Sequence, residues 1–143
     1  MLDVNWAAVA AAAVSSFLLG GLWYSRKVFG MAWGKAAGLV DDAGNVIGMA
    51  PGETPAHPHA PRVFAVSLVF SFVAAAAFAW WLGPNPPLGD AVVRGLVVGA
   101  CFVAASFGIN YQFADRRTLL WLIDGGYHTA QFALYGVVLG LWH

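Results

Sequence analysis

From residue 63 to residue 89 the chain carries no charged side chain, and three further stretches are nearly as apolar. A helix rises about 1.5 Å per residue and the hydrocarbon core of a bilayer is about 30 Å thick, so about 20 apolar residues suffice to cross it. Residues 6–24, 63–82, 91–113 and 119–141 all approach that length. The 143 residues are 60% hydrophobic and only 10% charged, against about 25% charge in a soluble domain. Four such segments could not present polar faces to water. The expected fold is all-α: a four-span transmembrane helical bundle forming one membrane domain.

Charge placement orients the bundle. The seven basic and seven acidic residues cancel, which excludes the basic footprint of a nucleic-acid binder. Arg26, Lys27, Lys35 and Arg62 belong to the first connection and Arg116–Arg117 to the third, whereas only Arg94 lies near the second. The positive-inside rule then makes residues 25–62 a cytoplasmic loop and places both termini outside. No Lys or Arg precedes the first apolar run, so it reads as a retained span rather than a signal peptide.

Within the first connection, Val28, Phe29, Ala32, Trp33, Ala36 and Val40 follow a helical period with Lys27 and Lys35 off the stripe. This predicts a short interfacial helix, in contact with lipid or lying as a lid over a cavity mouth. Residues 41–61 are rich in turn-forming Gly, Pro, Asn and Asp. His57 and His59 form an HxH pair there without a third donor at usable spacing, so no metal site is assigned. Cys101 lies in an apolar run and is expected to be a small core side chain.

The last run holds the chemistry. Asp124 and His128 are one helical turn apart, and Gln131 and Tyr135 continue the same face. A carboxylate in lipid is expensive, so this stripe should turn toward protein. If the connection at 115–117 is a tight hairpin, residues whose numbers sum to about 234 share a depth. That places Asn110 beside Asp124 and Ser106 beside His128, with Tyr111 and Tyr127 completing a polar cluster. Small residues mark close contacts: Ala8, Ala12, Ser16 and Gly20 on the first run, and the pairs Gly95–Gly99 and Gly136–Gly140, which are candidates for a homo-oligomer seam.

Two blocks, WYSRKVFGMAW at 23–33 and residues 110–142 with NYQFADRR, LIDGGYH and GVVLGLW, resemble the small bacterial membrane proteins of the domain-of-unknown-function family DUF1761. Family members often have Pro where this chain has Arg26. The resemblance implies a four-span protein of the bacterial inner membrane and no reaction, catalytic residue or cofactor. The favoured function is a structural or accessory membrane protein whose polar cluster fixes helix packing. The alternative is an oligomeric proton, cation or small-solute transporter or channel using Asp124 and His128. An enzyme is less supported, since Ser106 and Thr129 lack any nucleophile motif.

Overall fold

The computed structural model describes residues 4–50 and 61–142. They form five helices: α1 (Trp6–Trp23), α2 (Gly30–Ala36), α3 (Pro61–Leu82), α4 (Leu88–Phe113) and α5 (Thr118–Leu141). Strands are absent among the described residues apart from one isolated bridge between Val40 and Val46. His57 and His59 lie outside the described residues.

Local chemistry sets the helix ends. The Asn5 side chain accepts from the backbone N–H groups of Ala7 and Ala8, 3.1 Å each, which satisfies two donors that a helix start leaves unpaired. α3 opens on Pro61, whose missing N–H costs nothing at that position. α3 ends where Gly83 takes a left-handed φ of 79°. The α4–α5 connection turns on Asp115 at φ 48°, a conformation that Asp tolerates better than most residues. Midway along α4, Val98–Ala104 adopts π-helical pairing.

α1 runs antiparallel to α3, with Trp6 stacked near Phe72 and Phe17 edge-on to Phe64. It also runs antiparallel to α5, since Ser16 meets Tyr135 and Trp23 meets Ile123. α5 makes contact with each of the other four helices. One end of the bundle gathers Asn5, Leu82, the 83–86 turn and Trp142 around a crevice of about 350 Å³. The other end carries α2 and the α4–α5 connection, and with them Arg26, Lys27, Lys35, Arg62, Arg116 and Arg117. Arg94 stands apart, its guanidinium 5.6 Å over the Trp81 ring.

The distribution of polarity is inverted relative to a water-soluble protein. Leu18, Phe70 and Phe102 are each about two-thirds exposed, at 67%, 68% and 65%, whereas Asp124, Gln131, Ser16 and Ser71 are buried. α1, α3 and α4 are long and apolar enough to cross a membrane. The expected fourth crossing helix, α5, has the length without that apolarity, because the polar stripe occupies its buried face.

The α4–α5 contact explains the two glycine pairs. A Cβ on Gly99 would lie 2.5 Å from Thr129 Cα and 2.8 Å from the His128 carbonyl oxygen. One on Gly95 would strike the Phe132 carbonyl, one on Gly136 the Ala91 carbonyl, and one on Gly140 would lie 2.9 Å from Leu88 Cα. Both pairs are therefore filled by backbone within the chain, and the oligomer seam expected of them is occupied by the hairpin itself. Gly20 faces the Tyr127 ring, and Ala8, Ala12 and Ser16 are buried beside it on the same helix. Cys101 corrects another expectation: it is exposed on α4, because the helix turns its glycine side toward α5.

Candidate functional site

Three donors from three different segments converge on Asp124. Its Oδ1 accepts from the Tyr24 hydroxyl at 2.7 Å, just past the end of α1, and from Trp33 Nε1 at 2.9 Å on α2. Its Oδ2 accepts from the Tyr111 hydroxyl at 2.8 Å on α4. The carboxylate is buried, and among the described residues no Lys, Arg or His is close enough to pair with it. Neutral donors thus take the place of a counter-ion. Hydrogen bonds to a charged acceptor are about twice as strong as neutral ones, so three of them offset a large part of the lost hydration.

The surrounding rings make the seat rigid. Tyr24 packs against Tyr127 at 5.3 Å and edge-on to Trp33 at 5.8 Å, and Trp23 lies 4.8 Å from Phe29. Trp23 Nε1 donates to the Ile123 carbonyl at 3.1 Å, and Tyr127 donates to the Ser16 carbonyl at 3.2 Å. On the facing side, Trp121 Nε1 reaches the Ala104 carbonyl at 2.7 Å. Trp23 and Trp121 are half-buried and hydrogen-bonded inside the protein.

A second network lies further along α5. The Tyr135 hydroxyl donates to the Ser71 carbonyl at 3.0 Å and accepts from Gln131 Nε2 at 2.8 Å, with Ser16 Oγ at 3.1 Å. Gln131 Oε1 lies 2.8 Å from His128 Nδ1. Because a backbone carbonyl can only accept, it sets the direction of every bond behind it. Tyr135 gives its proton to Ser71, Gln131 turns its amide nitrogen to Tyr135, and its oxygen therefore requires a proton on His128 Nδ1. The imidazole is stacked 5.0 Å from Phe107.

The expected single cluster is therefore two networks. Asp124 and Tyr111 belong to one, His128, Gln131 and Tyr135 to the other, and Tyr127 contacts rings of both. Asn110 and Ser106 belong to neither: both are exposed on α4, with Ser106 Oγ donating to the Phe102 carbonyl at 2.7 Å. The side chains that face Asp124 and His128 are their sequence neighbours, Tyr111 and Phe107. These pairs sum to 235, close to the expected 234, whereas the backbone contacts of Gly95 with Phe132 and Gly136 with Ala91 sum to 227. The two sets lie on either side of the π-helical turn at Val98–Ala104, which shifts the register of α4. Side chains on a helix also lean toward its N-terminus, so tips meet out of register with backbones. Reading the depth correctly and the face one residue off exchanges an inward tyrosine for an outward asparagine, since each residue turns the helix by about 100°.

Tyr24, Trp33, Ser16 and Ser71 also belong to the networks and were not expected there. Tyr24 and Trp33 lie in the WYSRKVFGMAW block, and their recurrence beside the Asp124 block in one family resemblance was the available signal. α2 is correspondingly not a lipid-facing stripe: Trp33 points to Asp124 and Ala36 is buried, while Val28 and Phe29 are exposed before it.

Among the described residues these features define an all-helical protein with three membrane-length helices, an apolar exterior and a buried carboxylate. The family model described as a protein of unknown function, DUF1761, matches residues 7–140, and the chain belongs to that family. No curated protein and no solved structure matches it.

Proposed function

We propose that this is a four-span integral protein of the bacterial inner membrane with a structural or accessory role, in which Asp124 ties the helices to one another. The convergence of Tyr24, Trp33 and Tyr111 on one carboxylate carries this reading. α5 would cross as the central span, its polar stripe shielded by the other helices. The end bearing α2 and six of the seven basic residues would face the cytoplasm, with both termini outside.

The alternative role in proton or cation transfer draws on the absence of a paired cation at Asp124 among the described residues. Two features weigh against it. Both carboxylate oxygens already have donors. The His128 chain passes through an amide and stops at the Ser71 carbonyl, neither of which relays a proton readily. The test is ion flux in proteoliposomes, alongside detergent unfolding of Tyr24→Phe and Tyr111→Phe. Flux at the level of empty vesicles with reduced stability in both variants is expected. Proton or cation flux abolished by Asp124→Asn in a folded protein would replace this reading with the transport one.

A further inference from the structure

Residues 31–49 fold largely on themselves. The Leu39 N–H donates to the Gly34 carbonyl at 2.8 Å, the Ile47 N–H to the Leu39 carbonyl at 3.0 Å, and Val40 bridges Val46. Lys35 donates to the Asp42 carbonyl at 2.9 Å and lies 3.8 Å from its carboxylate. Among the described residues, one side-chain hydrogen bond leaves this unit for the long helices, from Trp33 Nε1 to Asp124 Oδ1.

The approach to the unit is fixed. Phe29 N–H donates to the Trp23 carbonyl at 3.0 Å and Gly30 N–H to the Ser25 carbonyl at 2.8 Å. A Cβ on Gly30 would collide with the Tyr24 and Ser25 carbonyls, so the turn closes tightly against the end of α1. The unit is thus pinned where it begins and seated at Trp33 by one hydrogen bond to the carboxylate, with the indole edge-on to the Tyr24 ring.

We propose that residues 31–49 form a cap over Asp124 latched by the Trp33 hydrogen bond to its carboxylate, and that loss of this one bond releases the cap and uncovers the site. The groups facing Asp124 fit this arrangement. Tyr24 from the α1 end and Tyr111 from α4 hold the carboxylate in place when the cap lifts, and Trp33 is the donor that leaves. His128, one turn along α5, is turned to Gln131, and no Lys or Arg among the described residues pairs with Asp124. The inference rests on the Asp124 node but not on its contribution to stability, which the Tyr111 arm below isolates.

The test is hydrogen–deuterium exchange of the full chain in lipid nanodiscs. Trp33→Phe, which removes the bond, should speed exchange of the cap amides about tenfold or more. Asp124→Asn, which keeps an acceptor but removes its charge, should speed it several-fold. In both, the amides of α3 should keep their wild-type rates. Tyr111→Phe takes a donor from the same carboxylate on the α4 side and should leave the cap unchanged. Wild-type cap exchange in both Trp33→Phe and Asp124→Asn would overturn the proposal. So would an equal acceleration over the whole chain in all three variants, which would make the cluster a packing device with no separate cap.

Discussion

Replacing Asp124 by leucine would strand the Tyr24 and Tyr111 hydroxyls and the Trp33 indole N–H. Exchanging a buried polar network for apolar groups can be neutral when every partner is exchanged too, but here the donors stay. A donor left unsatisfied costs about 1–3 kcal/mol, so Asp124→Leu should lower stability by several kcal/mol in detergent unfolding. A variant as stable as the wild type would mean the three donors find other partners. One position apart on α4, Tyr111→Phe should cost about 1–3 kcal/mol and Asn110→Ala about 0.5 kcal/mol or less. Equal effects would contradict the inward placement of Tyr111. The Asp124–His128 stripe was legible from spacing alone, because i and i+4 share a face whatever surrounds the helix. Its partners were not, because they depend on how a second helix is rotated.

Among the helices, the α4–α5 pair is built on backbone contact. Gly99 and Gly136 meet main-chain atoms of the facing helix, which cannot rotate away as a side chain can. Gly99→Ala and Gly136→Ala should each destabilise the monomer by about 1–3 kcal/mol through overpacking. Gly21 is the internal control, since a Cβ there meets nothing within 4 Å. Gly21→Ala should be neutral or stabilise by up to about 1 kcal/mol from helix propensity. Loss of an oligomer with unchanged monomer stability in the Gly99 and Gly136 variants would contradict an intrachain seam. The π-helical turn at Val98–Ala104 had no sequence signal, since its residues are as apolar as their neighbours.

At the scale of the whole molecule, the least apolar of the long helices is central and the more apolar ones form the exterior, as a lipid solvent requires. The proposed topology predicts that single cysteines at positions 45 and 86, in a Cys101→Ala background, label from opposite sides, with 45 cytoplasmic. Labelling of both from the same side would refute the antiparallel membrane arrangement. The sequence by itself determined the helical class, the apolar runs and the clustering of basic residues in two of the three connections, because these properties sum over tens of residues and survive small errors of register. Only the tertiary structure decided that the polar stripe divides into two networks and that the glycine pairs face each other within one chain. It alone seated Trp33 on Asp124. Each of these depends on the rotation of one helix against another, and a shift of one residue turns an inward side chain outward.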